Sequence, residues 1–131
     1  MENLKHTGGC VCGWVRYQAL GPALPPHACS CRTCQQHTGA PVAVWVEYPA
    51  ASVSWVGPGG APATFRSSPG SSRAFCSRCG SSIGAIDDAP TIALLTGGFD
   101  EPQQQALRPL YHSFEDGKPA WCQVGIPVSG G

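Results

Sequence analysis

Valines at positions 42, 44 and 46 alternate with Ala43, Trp45 and Glu47, and a period of two is the mark of an extended strand with two distinct faces. Short stretches of the same kind recur at 14–19, 52–56, 63–67, 82–86, 91–96, 111–114 and 121–124. Each carries β-branched or aromatic residues between turn-forming positions, so each is predicted to be a strand. Segments 56–62 and 67–72 are rich in Gly, Pro or Ser and are expected to be loops between strands. Helical periodicity is scarce. Residues 33–38 read as a short helix stopped by Gly39, and Glu101-Pro102 opens a second that runs to Leu107. No repeat or low-complexity linker interrupts the pattern, so residues 1–131 are expected to form one all-β, or at least β-rich, domain.

Composition strengthens that picture. The 131 residues include 17 Gly and 13 Pro but only 12% charged residues, which favours short strands and turns over long helices. Formal net charge is zero with Lys and Arg scattered, so the basic footprint of a nucleic-acid binder is missing. No apolar run approaches a membrane span, and the opening MENLKHTGG lacks the apolar stretch of a secretion signal. A cytoplasmic location is therefore expected. In a reducing compartment, clustered thiols serve metals or redox chemistry rather than structural disulfides.

Seven of the eight cysteines form three clusters: Cys10-Val-Cys12, Cys29-Ser-Cys31-Arg-Thr-Cys34 and Cys76-Ser-Arg-Cys79-Gly80. The last is the pattern of a zinc knuckle, in which two intervening residues let both sulfurs converge on one ion. The following Gly80 frees the exit of the turn to take positive φ. In an extended segment Cys10 and Cys12 would point to one side with Val11 turned away. These two pairs together supply four thiolates, a closed tetrahedral set. The middle cluster supplies three, and its fourth position falls to water, substrate or a residue from elsewhere, His27 and His37 being nearest in sequence. Three thiolates make zinc a modest Lewis acid but a good host for an exchangeable thiol. Cys122, beside Trp121, has no clustered partner and reads as a small packed apolar residue.

The ordered set of motifs resembles the glutathione-dependent formaldehyde-activating enzyme family. It begins at Gly9-Cys-Val-Cys-Gly13 and Val15-Arg-Tyr17 and continues through Cys29-Ser-Cys-Arg-Thr-Cys34, Thr38-Gly-Ala-Pro41, Trp45 and Phe65 to Ser68. Arg73-Ala-Phe-Cys-Ser-Arg-Cys-Gly-Ser-Ser82, Gly97-Gly-Phe-Asp100, Pro109, His112 and Lys118-Pro-Ala-Trp121 complete it. The resemblance implies an Mss4-like fold of coiled antiparallel sheets with zinc knuckles, and two Zn2+ per chain. By position, Cys10, Cys12, Cys76 and Cys79 match the structural site, and Cys29, Cys31 and Cys34 the catalytic one. The implied reaction joins glutathione sulfur to an aldehyde, a carbon–sulfur lyase by its reverse direction, with a glutathione-like thiol and an aldehyde as partners.

Arg32, and after it Arg73 or Arg78, is the candidate partner for the carboxylates of an acidic thiol, the alternative being an ordinary solvated arginine or support for an anionic zinc centre. Trp14, Trp45, Trp55, Phe65 and Phe99 are expected in the core or lining a pocket, His112 as a hydrogen-bonded structural histidine, and Asp87-Asp88 in a turn. A non-catalytic zinc scaffold of the same fold is the rival reading, although a scaffold needs only the closed four-thiolate site. A dithiol redox role for Cys31 and Cys34 lacks the surrounding βαβ pattern. Exposed sheet edges make a homodimer an expectation.

Overall fold

The computed structural model describes residues 4–127. Its strands are β1 (Lys5–Gly9), β2 (Arg16–Leu20), β3 (His27–Cys29), β4 (Ala43–Pro49), β5 (Val53–Trp55), β6 (Ala63–Ser68), β7 (Ser71–Phe75), β8 (Ser82–Asp87), β9 (Thr91–Leu95) and β10 (His112–Ser113), with one α-helix, α1 (Arg32–Thr38). They form a three-stranded sheet, β1-β2-β5, and a seven-stranded sheet ordered β10-β3-β4-β9-β8-β7-β6. Neighbouring strands are antiparallel, except that β10 runs parallel to β3. This is the β-rich, Mss4-like architecture expected.

Packing follows from the two faces of β4. Val46 and Tyr48 turn toward the small sheet and join Val15, Tyr17, Ala19, Ala74, Ile83, Ile92, Leu94 and Phe99 in the main core. The Tyr17 ring meets Phe99 and Trp55 edge-on at 5.4 and 6.0 Å, the geometry aromatic quadrupoles prefer. On the other face Ala43 and Trp45, with Ala85 and Ala93, pack under Cys29 and Cys34. One side of the large sheet thus provides stability, each large apolar side chain contributing about 1.5–3 kcal/mol by its burial. The opposite side carries Cys29, Cys31 and Cys34.

Several expectations change. β7 falls partly in the segment 67–72 expected to be a loop. The true turn is only Pro69-Gly70, with Gly70 at φ 90°, a value that only glycine adopts without strain; the flanking serines belong to strands. β1 and β3 were not expected, because Lys5-His-Thr-Gly-Gly9 and His27-Ala-Cys29 lack strand-like apolar alternation and are held by their neighbours' ladders. Residues 121–124 form no strand: Cys122 N donates to Pro119 O in a turn, and Trp121 is 78% exposed. The helix expected over 101–107 shrinks to a single 3-10 turn at Gln105–Leu107. Among the described residues no helix is long and apolar enough to cross a membrane.

Candidate metal centres

The first centre joins two hairpins. Cys10 and Cys12 lie in the β1–β2 connection, and Cys76 and Cys79 in the β7–β8 connection. All four sulfurs lie within 4.8 Å of one another. Cys12 Sγ is 3.7 Å from Cys10 Sγ and 3.8 Å from Cys76 Sγ. Vertices of a tetrahedron placed about 2.3 Å from its centre, the usual metal–thiolate distance, are about 3.8 Å apart, so the spacing suits an ion at the middle.

The backbone is arranged around the sulfurs. Cys10 and Cys12 sit in a turn closed by Gly13 N to Cys10 O, rather than in the extended segment expected, and Val11 projects outward at 92% exposure. Val15 N donates to Cys10 Sγ at 3.2 Å, while Arg78 N and Cys79 N donate to Cys76 Sγ at 3.3 and 3.4 Å. Such donors stabilise thiolate charge. A bulge between Ala74 and Phe75 bends the strand just before Cys76, and Gly80 leaves the knuckle at φ 79°. Cys79 Sγ lies 3.1 Å from Ser81 Oγ, and hydrogen bonding from the Ser81 side chain and backbone lowers the Cys79 thiol pKa. Arg78 stacks over Trp14 at 4.6 Å, occupied away from the second centre.

That second centre holds Cys29, Cys31 and Cys34, whose sulfurs also lie within 4.8 Å of one another. Cys29 ends β3, where Ala43 of β4 and Ser113 of β10 flank it. Ser30 is fully buried, and its Oγ lies 2.8 Å from Nε2 of buried His112, so His112 is the structural histidine expected. Burial pushes the His112 pKa down. Cys31 caps α1, its Sγ accepting from Cys34 N at 3.3 Å. Gln35 Nε2 donates to the carbonyls of Ser30 and Gly117, each at 2.9 Å, and locks the helix over the loop.

Two of these three thiols are buried, whereas Cys12 and Cys79 of the first centre are exposed. Hydrogen bonding from the Cys29 thiol, then from Cys31 and Arg73, holds Cys34 below the ordinary thiol range; its bond to Cys34, then burial, pushes Cys29 up. Neither His27 nor His37 joins the 4.8 Å grouping. His27 borders the adjoining cleft and stacks on Tyr111. His37 packs beside Trp45, and burial lowers its pKa first, the Arg73 charge second.

The cleft in front of the three thiols has a volume of about 180 Å³ and is bordered by His27, Trp45, Glu47, Ser71, Arg73 and Asp87, with Ala85 and Ala93 beneath. Larger hollows exist, but one of about 560 Å³ borders none of the clustered cysteines. Arg73 Nη1 donates to Cys34 Sγ at 3.6 Å, and the guanidinium lies 5.3 Å over the Trp45 ring. Arg32, by contrast, is exposed and borders a separate hollow with Pro119 and Trp121. Adjacency in sequence favours Arg32 over Arg73; that β7 runs past the helix is invisible without the strand order. Glu47 and Asp87 also escaped sequence reading, although the alternation along β4 already put Glu47 on the Trp45 face. Trp45 and Phe99 are buried, Trp14 and Trp55 pack on the core edge, and Phe65 lines a hollow instead. Cys122 is half-buried and joins neither cluster.

The crystal structure of a Rhodobacter sphaeroides protein superposes with a TM-score of 0.54 at 18% identity, covering 72% of this chain and 87% of that one. At that identity the likeness shows the fold alone. No curated protein matches the chain. The profile described as glutathione-dependent formaldehyde-activating enzyme matches residues 5–117, a span that contains both sulfur clusters and the strands that carry them, and the chain therefore belongs to that family.

Proposed function

We propose that this chain binds one zinc ion in each sulfur cluster and catalyses the addition of a thiol to an aldehyde, with glutathione and formaldehyde as the reference pair. The all-thiolate donor sets and near-tetrahedral spacing support zinc. Cys10, Cys12, Cys76 and Cys79 hold the structural ion; Cys29, Cys31 and Cys34 hold the catalytic one. Zinc held by three thiolates supplies a position at which a further thiol loses its proton near neutral pH.

The remaining work falls to the protein's own groups. The cleft confines thiol and aldehyde together, which removes much of the entropic barrier of a bimolecular step. Arg73 offsets the negative charge gathered at the cysteines and meets a substrate carboxylate. Trp45 and the two alanines shape the floor. In the reaction the thiol sulfur bonds to the carbonyl carbon and the C=O π pair moves onto oxygen. The proton lost by the thiol ends on that oxygen, with no net oxidation. The reverse breaks the same carbon–sulfur bond.

This reading is carried by a trio of thiols, joined by no fourth ligand atom among the described residues, facing a cleft bordered by a guanidinium. The test measures zinc per chain and the rate of formaldehyde–glutathione exchange by magnetisation-transfer NMR. Wild type is expected to hold two ions and to accelerate exchange. Cys31→Ser is expected to hold one and to lose at least about a hundredfold of the acceleration. Full activity in a variant carrying only the Cys10–Cys79 ion would overturn the assignment.

A further inference from the structure

A cleft of about 180 Å³ falls below the roughly 300–1,000 Å³ of pockets that enclose a whole small ligand. It accepts the reacting end of a substrate and leaves the rest outside. Arg73, on its border, also borders a second hollow of about 420 Å³, between α1 and the β6–β7 hairpin. Thr33, Gln36 and His37 form the helix side of that hollow, and Phe65, Ser67 and Phe75 the hairpin side. Apart from Arg73, none of its lining residues among those described is acidic, Lys or Arg.

The register sets the two hollows side by side along one row of the sheet, with Arg73 bordering both. Phe65 lies opposite Arg73, Arg73 opposite Ala85, and Ala85 opposite Ala93, across four adjacent strands. One row of the sheet therefore runs from the alanine floor below the cysteines, past Arg73, to an aromatic end. Arg73 is the joint, with Nη1 on Cys34 Sγ and Nε buried without an acceptor. Phe65 is 58% exposed on edge strand β6, between Thr64 and Arg66. It contributes little to the core, and it faces a hollow that contains a second aromatic ring. Two phenyl rings with neutral polar neighbours suit an apolar, ring-sized group rather than a charged one.

We infer that this hollow receives an apolar, ring-sized substituent on the aldehyde-derived half of the adduct, so that the chain acts on aromatic-substituted aldehydes larger than formaldehyde. This rests on the proposed function. The carbon that forms the bond to sulfur also bears the substituent, so a group leaving the small cleft past Arg73 reaches Phe65 and Phe75 directly. Bond changes are those already given: sulfur to carbon forms, the C=O π bond breaks, and the thiol proton ends on oxygen.

The experiment follows exchange by NMR on the zinc-loaded full chain, wild type and Phe65→Ser. Glutathione is paired with formaldehyde or phenylacetaldehyde, and formaldehyde is also paired with benzyl mercaptan. The phenylacetaldehyde-to-formaldehyde rate ratio is expected to fall about tenfold in Phe65→Ser. A non-reacting readout accompanies it: S-(2-phenylethyl)glutathione is expected to bind wild type about tenfold tighter than S-methylglutathione, with contacts to the Phe65 and Phe75 ring protons. Formaldehyde acceleration with an unchanged ratio and equal binding of the two thioethers overturns this inference alone. Dependence on Phe65 only with benzyl mercaptan overturns the assignment to the aldehyde half. No acceleration with any pair, zinc in place, overturns the proposed function and this inference with it.

Discussion

The two sulfur clusters use the same spacings and have opposite surroundings. The four-sulfur cluster ties two hairpin connections 64 residues apart, from Cys12 to Cys76, and two of its thiols are exposed. Its neighbours are backbone N–H groups, a serine hydroxyl and an arginine occupied by Trp14. The three-sulfur cluster lies at the end of a strand and the start of a helix, against the sheet, beside a cleft bordered by the guanidinium that donates to Cys34. A complete ligand set needs only support, so exposure is tolerated. An incomplete one needs a shaped approach, and the sheet provides it. On the proposed function, ligand count and neighbourhood, rather than the motif, separate the cluster that holds the fold from the one that does chemistry.

Breaking the first cluster is expected to have the largest effect on the fold. Structural zinc contributes about 10–16 kcal/mol in zinc-finger peptides, comparable with the total of about 5–15 kcal/mol that holds a domain folded. Cys76→Ser is therefore expected to abolish a cooperative thermal transition near the wild-type midpoint. Cys31→Ser is expected to lose activity and one ion yet melt as a folded protein. Calorimetry with zinc analysis on both variants checks the contrast, and equal melting of the two would break it. Arg73→Gln sharpens it. The variant should lower zinc affinity at the three-sulfur cluster about 10–100-fold and leave the other ion in place, as measured by chelator competition.

The smallest effect expected is at Arg16 and Asp100, which border neither the cleft nor the three-sulfur cluster. Arg16 donates to Asp100 at 2.7 and 3.0 Å, and Thr7 Oγ1 donates to the same carboxylate at 2.6 Å. These bonds, Arg16's first, hold the carboxyl at about 2. A depressed folded pKa stabilises above the ordinary value, and that stability is lost as pH falls through the folded one. Both side chains are substantially exposed, so Asp100→Asn is expected to cost less than about 1 kcal/mol at pH 7. In denaturant melts its gap from wild type should narrow from pH 5 toward pH 3.

Much of this was legible in the chain. β4, β5, β6, β8 and β9 follow from alternation and punctuation, and the helix 33–38 from its Gly39 stop, because these signals are local. The pairing of Cys10 and Cys12 with Cys76 and Cys79 followed from counting ligands, since neither pair alone closes a tetrahedron. What escaped depends on neighbours. β1 and β3 are strands because adjacent ladders claim them, and β7 because Pro69-Gly70 turns more sharply than the surrounding serines suggest. Arg73, Glu47 and Asp87 reach the cleft only through the order β4-β9-β8-β7, which no local pattern encodes.

The central claim is that a metal at Cys29, Cys31 and Cys34 keeps a position that an added thiol can take, while the four-cysteine metal does not. Cadmium-113 NMR of the cadmium-substituted chain tests it directly. Two resonances are expected, one of which shifts toward the four-thiolate range when glutathione is titrated in, the other staying fixed. A single resonance, or two that both ignore the thiol, would contradict it.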